Sequence, residues 1–202
     1  YTLSLHDALP IFIRDYMDLF GPAKLPPKWA FGPWISANHW DSQEKVERAV
    51  AQAEEHGFPV CALVAEAWSD EATFYVFRGA RYVPKPNGGA FRLEDFDFSD
   101  SPWPDPAGMV QRLHEKGIRF LLWQIPVYKK QGPDEPLNAQ NELDQADAVA
   151  RGLCVHNADG SPYTIPEGYW FAGSMIPDFT NPAAEETWFS KRNYLTEMGI
   201  DG

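Results

Sequence analysis

The 202-residue sequence has few cysteines, a deficit of basic residues and no long apolar run. Cys61 and Cys154 are too few for a disulfide framework or a zinc pattern, and both are predicted to be unpaired thiols. Lys and Arg number 17 against 29 Asp and Glu, and the formal net charge of −12 argues against a nucleic-acid partner. No apolar run is long enough to cross a bilayer, so no membrane partner is predicted.

Several motifs that carry chemistry are also missing. The sequence has no P-loop and no GxGxxG pattern after an apolar run, which argues against a phosphate site. Its histidines are not paired at metal-ligand spacing, and no nucleophile elbow surrounds any Ser. The sequence therefore predicts no metal site and implies no cofactor.

What the sequence does contain is a repeated unit in which a helical pattern ends in Gly and an apolar run follows at once. "DSQEKVERAVAQAEEHG" leads into "FPVCALVA", and "PDPAGMVQRLHEKG" leads into "IRFLLWQIP". A third helical pattern over residues 181–199 leads into Ile200, and residues 28–36 supply a first strand. Alternating strands and helices predict an α/β fold with parallel strands, either a doubly wound sheet or a (β/α)8 barrel.

The connections between these elements are unequal in length. Each helix passes into the next strand through little more than a Gly, whereas residues 65–103 and 124–181 form long, aromatic-rich segments after the second and third strands. Long loops in a compact domain are usually functional. Because ligands of parallel α/β folds bind beyond the carboxyl ends of the strands, we expect a large aromatic and acidic site there.

Tryptophans and acids cluster where the predicted strands end, and these residue types suit a carbohydrate. Glu66, Trp68 and Asp70 follow the second strand, Trp123 follows the third, and Trp34 is assigned to the end of the first. Indole rings pack against the apolar C–H faces of sugars, and carboxylates accept hydrogen bonds from their hydroxyl groups. The sequence therefore predicts a carbohydrate substrate.

Four stretches of the sequence resemble glycoside hydrolase family 31, the retaining α-glycosidases. They are "LPPKWAFGPW", "WPDPAGMVQRLHEKGIRFLLWQIP", "NADGSPY" and "DFTNPAAEETWF". The resemblance runs from about residue 12 to residue 202. It implies an α/β fold, a partial (β/α)8 TIM barrel with strands 1–3, helices 1–3 and the start of strand 4, truncated at both ends.

The resemblance also implies a retaining mechanism with two carboxylates, a nucleophile and an acid/base. Neither maps onto any of the 202 residues, because the nucleophile of the family follows the fourth strand. Asp201 comes too early and is expected to be an acid at the strand edge. A catalytic barrel of this kind would hydrolyse terminal α-linked glucosides or xylosides, and this chain by itself is predicted to be inactive.

What carries over from the family is the sugar pocket. Glu66 stands where many members have an Asp that binds sugar hydroxyls, and the longer acid would reach a shifted hydroxyl. Trp123 matches the pocket wall, and Asp178 either shapes the pocket or caps the third helix. Trp34, Asp70 and Trp68 complete the predicted set of substrate-binding residues.

The predicted organisation has three segments. Residues 1–11, "YTLSLHDALPI", resemble a translated sequencing-library adapter and are expected not to be biological. Residues 12–28 lead into the barrel, and residues 29–202 form the N-terminal part of the catalytic domain. The alternatives are a non-catalytic carbohydrate-binding barrel and an unrelated TIM-barrel enzyme for an anionic substrate, which would need basic residues at the strand ends. The sugar, the linkage, the compartment and the oligomeric state stay open.

Overall fold

The computed structural model describes residues 5–202, and the chain divides into one unit that ends at Phe31 and a second from Gly32 to Gly202. The first unit contains helix α1, Leu5–Phe20, with Pro10 inside it, and a 3-10 helix, Lys28–Phe31. The predicted boundary after residue 11 falls within α1. Residues 1–4 lie outside the described residues, and the adapter interpretation stays a prediction.

The second unit is built on three short parallel strands. Its elements are β1 (Trp34–Ala37), α2 (Gln43–Glu55), β2 (Ala62–Ala65), a 3-10 helix (Leu93–Asp95), α3 (Pro106–Glu115), β3 (Arg119–Leu122), α4 (Ala139–Ala150), α5 (Pro182–Ser190) and α6 (Asn193–Glu197). The strand order is β1-β2-β3, and both pairings are parallel. The predicted α/β architecture of a partial barrel is confirmed.

Helices α2 and α3 form where the sequence pattern places them. The side chain of Ser42 accepts a hydrogen bond from the Lys45 amide at 3.4 Å, so Ser42 rather than Asp41 is the N-cap of α2. Gly57 follows α2 with a φ of +66°, a conformation that L-residues rarely adopt. The apolar faces of both helices are buried in the main core beside the strands.

The last residues of the chain lie beside β3. The Asp201 amide donates to the Phe120 carbonyl at 3.0 Å, and the Gly202 carbonyl accepts from the Leu122 amide at 2.8 Å. The Asp201 carboxylate accepts from the Phe120 amide at 2.9 Å and from Arg119 at 3.0 Å, and it lies 2.7 Å from His114 Nε2. Burial opposes ionisation, but the hydrogen bonds from Phe120 and His114 outweigh it and lower the pKa of Asp201. Asp201 therefore anchors the last residues of the chain against β3.

Two helix predictions need correction. The third predicted helix is split into α5 and α6, and the side chains of Lys191 and Arg192 are buried at the junction. Helix α4 was not predicted at all, since its sequence is rich in Asp, Asn and Gln and lacks a clear apolar stripe. A capping Asn138 and several good helix formers were the signals available for it.

Most aromatic side chains of the long segment after β2 form core rather than cleft. Phe77 and Trp103 are fully buried at 0% exposure, Phe91 at 1%, and their rings pack against neighbouring aromatics. The many aromatic residues of this segment therefore pack mainly against one another inside the loop and stabilise its conformation. Only a subset of its rings is available to a ligand.

Candidate functional site

A cavity of about 540 Å³ opens at the carboxyl ends of the three strands. Asn38, Glu66 and Trp123 each follow directly after a strand, and all three line it. The full lining is Asn38, Glu66, Ala67, Ser69, Glu71, Phe74, Arg78, Trp123, Lys129, Trp170 and Phe171. The volume lies within the range of about 300–1,000 Å³ that is usual for small-molecule sites. The edge predicted from the lengths of the loops is therefore the edge that carries the cavity.

The Glu66 carboxylate is the polar centre of this cavity. The Ser36 hydroxyl donates to Glu66 Oε1 at 2.6 Å. With its amide nitrogen turned toward Glu66, Asn38 donates to Oε1 at 3.2 Å and to Oε2 at 2.5 Å. Donors from the β1 side thus fix the orientation of the carboxylate, which keeps further lone pairs for a ligand hydroxyl.

One wall of the cavity is aromatic. The ring centroid of Trp123 lies 5.9 Å from that of Phe74 and 5.9 Å from that of Trp170, and the Trp170 and Phe171 centroids are 4.7 Å apart. We call Phe74, Trp123, Trp170 and Phe171 the aromatic wall. Such rings offer an apolar surface to the C–H face of a pyranose, in the same cavity as the hydrogen-bonding groups around Glu66.

Two members of the aromatic wall have unusual backbone conformations. Phe74 has a φ of 58° and Phe171 a φ of 61°, in the left-handed region that bulky residues rarely enter. Such conformations persist only where the surroundings impose them, and they are concentrated at functional sites. Two of the residues with strained backbones therefore line the cavity.

The cations at the cavity are already paired. Arg78 lies 3.3 Å from Glu71, and Lys129 lies 2.9 Å from Glu135. Because neither cation is left uncompensated, the lining offers little to an anionic ligand. Its free hydrogen-bonding capacity suits a neutral polyol.

Two predicted binding residues lie away from the cavity. Trp68 was predicted to bind substrate, but its side chain is fully buried and its indole nitrogen donates to the Trp123 carbonyl at 2.8 Å. Trp68 therefore supports Trp123 from the core and does not face the cavity. Trp34 is the first residue of β1 rather than a residue that follows it, so it lies at the opposite edge of the sheet.

The two predicted aspartates organise local turns. Asp70 accepts hydrogen bonds from the Ala72 and Thr73 amides at 2.8 and 2.6 Å, and it lines a neighbouring cavity of about 320 Å³. Burial raises the pKa of Asp70, although the hydrogen bonds from Thr73 and Ala72 oppose the shift.

Asp178 accepts from the Thr180 hydroxyl at 2.6 Å, and this contact lowers the pKa of Asp178. The N-cap of α5 is Asn181, so Asp178 does not cap that helix. Asp178 also lies outside the cavity lining. A contact between Asp178 and substrate stays a prediction.

Sequence reasoning missed most of the aromatic wall. Phe74, Trp170 and Phe171 belong to the aromatic residues of the long loops, but nothing local separates them from rings that enter the core. Asn38 is different, because it follows an apolar run as Glu66 and Trp123 do. Its position next to a strand was a usable signal.

Three further findings concern the described part of the chain. Among residues 9–202, whose side chains the structure describes, no group of three His, Cys, Asp or Glu is placed to hold a metal ion. None of the helices described is both long and apolar enough to cross a membrane. Cys61 and Cys154 are both free thiols.

Comparison with known proteins identifies the family of this chain. The family model described as "Glycosyl hydrolases family 31 TIM-barrel domain" matches residues 23–202. An isomaltosyltransferase of Sporosarcina globispora is 43% identical over 192 residues, which cover 94% of this chain and 17% of that protein. A 1,3-alpha-isomaltosidase of Kribbella flavida is 38% identical over 203 residues, which cover 99% of this chain and 27% of that protein.

A solved structure has the same fold. The cycloalternan-forming enzyme from Listeria monocytogenes, in complex with a pentasaccharide substrate, superposes with a TM-score of 0.87 at 41% identity. The match covers 94% of this chain and 18% of that protein. The chain thus spans between about a sixth and a quarter of the length of these relatives.

Proposed function

This chain belongs to glycoside hydrolase family 31, and from that premise we propose that the protein carrying it cleaves α-linked glucose oligosaccharides with retention of configuration. The cavity at the strand ends is the proposed sugar site. In this proposal Glu66 binds a hydroxyl group of the sugar, and the aromatic wall packs against its apolar face.

The observation that carries the proposal is that Glu66 and the four rings of the aromatic wall line one cavity. A carboxylate oriented by Ser36 and Asn38 is a fixed acceptor for a hydroxyl hydrogen. The rings of the aromatic wall, which meet edge to face or at a tilt, supply apolar contact without a charge. This combination fits a neutral sugar better than a phosphate ester or a carboxylic acid.

The sequence predicted terminal α-glucosides or α-xylosides as substrates, and the relatives favour a narrower class. Two of them, at 43% and 38% identity, are named for the isomaltosyl group, a disaccharide of two glucose units. A cavity of about 540 Å³ has room for more than a single ring. We therefore propose an isomaltosyl-type disaccharide as the glycone and place α-xylosides second.

The chemical step needs two carboxylates about 5–5.5 Å apart, one as nucleophile and one as acid and then base. In this proposal residues other than these 202 supply both carboxylates, so no residue here is assigned either role. The part proposed for this chain is to bind and orient the glycone, which places its anomeric carbon for attack.

The test compares aryl α-isomaltoside, aryl α-glucoside and aryl α-xyloside as substrates of the whole protein and of residues 12–202 alone. We expect the whole protein to prefer the isomaltoside and the short chain to be inactive. Cleavage of the xyloside with the highest kcat/KM would contradict the proposed glycone. Sugar binding without turnover by the whole protein would instead favour a non-catalytic carbohydrate-binding barrel.

A further inference from the structure

Outside the cavity lining lies a cluster of buried charges that the proposed sugar contacts do not use. The side chain of Asp144 on α4 is 6% exposed, and that of Lys191 after α5 is 5% exposed, with 2.8 Å between Lys191 Nζ and Asp144 Oδ1. Asp144 Oδ1 also accepts from Gln140 Nε2 at 2.7 Å. Arg192, the next residue after Lys191, is buried as well.

The cluster reaches Phe74 through its neighbour in the chain. The Tyr75 hydroxyl donates to Asp144 Oδ2 at 2.6 Å, and the Tyr75 carbonyl accepts from the hydroxyl of Tyr194. Burial and the Asp144 carboxylate raise the pKa of Tyr75, which keeps its hydroxyl protonated as a donor. Tyr75 is therefore held by hydrogen bonds at its hydroxyl group and at its backbone carbonyl, and it directly follows Phe74, whose backbone is left-handed.

The same cluster reaches Trp123 through a second neighbour. Arg192 Nε donates to Gln124 Oε1 at 3.0 Å, and Gln124 follows Trp123 in the chain. The guanidinium carbon of Arg192 lies 3.4 Å from the ring centroid of Trp188 and 5.0 Å from that of Tyr75. One buried cluster thus bonds to the residues that immediately follow two members of the aromatic wall.

We infer that Asp144, Lys191, Arg192 and Tyr75 are positioning residues that set the placement of Phe74 and Trp123 in the aromatic wall. The inference rests on the proposed function, since it concerns the same sugar pocket. Its geometric basis is that α4, α5 and both strand-end loops meet in this cluster. The two wall rings that these loops carry meet edge to face with their centroids 5.9 Å apart.

Energetics supports a positioning role over a purely stabilising one. Charges buried away from water lose hydration that their mutual attraction only partly restores, so apolar residues of similar volume often stabilise a core as well. Directional hydrogen bonds specify one geometry in a way that apolar contacts do not. A cluster that joins separate loops at fixed distances is suited to holding a ligand surface in shape.

The decisive variant is Tyr75→Phe, which removes one hydroxyl and keeps the ring. If the wall contacts the bound substrate and the transition state equally, weakening it raises KM and leaves kcat unchanged. In the whole protein we expect KM for the isomaltoside to rise about three- to tenfold, the range for one lost buried hydrogen bond. The matched control is Tyr82→Phe, because Tyr82 does not line the cavity and its ring packs against Phe91 and Phe96, so the loss of its hydroxyl should leave KM unchanged.

A double variant separates positioning from general stability. If Tyr75 acts through Phe74, then adding Tyr75→Phe to Phe74→Leu should raise KM no further. Independent increases in KM from the two changes, or equal effects of Tyr75→Phe and Tyr82→Phe, would overturn the inference. A wild-type protein that neither binds nor cleaves α-glucosides would instead refute the proposed function, so the two failures are distinguishable.

Discussion

Phe74 and Phe171 meet edge to face, with ring centroids 5.5 Å apart and ring planes at 88°, although both residues have left-handed backbones. They come from different loops, one after β2 and one after β3. Two strained conformations that bring two rings together across a cavity indicate that the chain is shaped for this contact. The contact closes the aromatic wall between the two loops.

The strain at Phe171 can be measured as stability. Because glycine enters the left-handed region without steric cost, Phe171→Gly should unfold with a free energy about 1 kcal/mol higher than that of Phe171→Ala. Urea denaturation of both variants checks this. In helix α2 the order should reverse, with Ala53→Gly about 1 kcal/mol less stable than the parent. Equal stability of the two Phe171 variants would show that the φ of 61° is not strained.

Trp123 should contribute strongly to catalytic efficiency. Trp123→Ala removes the ring that contacts both Phe74 and Trp170 in the aromatic wall. Because the sugar then loses the packing of its apolar face against this ring, we expect kcat/KM for an α-glucoside to fall by about tenfold or more. The matched change is Gln52→Ala, at an exposed position on α2. Similar losses from both substitutions would remove Trp123 from the sugar site.

Glu66 should act through its charge. Glu66→Gln keeps the shape of the side chain but weakens its bond to a sugar hydroxyl, so we expect kcat/KM to fall about ten- to a hundredfold. Glu55→Gln, on the exposed surface of α2, is the control. Steady-state kinetics of both variants provides the measurement, and an unchanged kcat/KM in Glu66→Gln would contradict the assigned role.

Asp201 should make stability depend on pH. Its pKa is lowered in the folded state, so its contribution is present above the ordinary Asp pKa of about 4 and is lost as the pH falls through the lower folded value. Asp201→Asn should therefore destabilise the protein by about 1–3 kcal/mol at pH 7 and by less near pH 3. Denaturant unfolding at both pH values tests this against Asp134→Asn, a change at an exposed site. A loss that does not depend on pH would contradict the linkage.

The sequence predicted that Glu66 and Trp123 line the cavity because their positions depend only on the local pattern of residues around them. Each follows an apolar run, and the carboxyl ends of parallel strands share one edge. Trp68 looked equivalent, yet its indole bonds to a carbonyl 55 residues away and enters the core. Aromatic side chains suit a core and a cleft equally, so only long-range contacts decide between them.

The buried charges could not be predicted for a related reason. Lys191 and Arg192 belong to a segment whose pattern reads as one continuous helix. Their burial depends on Asp144 and Gln124, which lie on other elements far away in sequence. The spacing of residue types along the chain predicts a helix, but it does not identify the residue that pairs with a charged side chain.

The alignment of β1 with β2 also decides which donors meet the Glu66 carboxylate. Ala37 is opposite Ala65, so the next residues, Asn38 and Glu66, become neighbours through register alone. A slip of two residues would preserve every inward face and still put a different donor beside the carboxylate. The residues at the two strand ends can therefore be substituted one at a time without changing the register of the strands. Substitutions at Ser36 and Asn38 offer a route to altered sugar selectivity that leaves the long loops untouched.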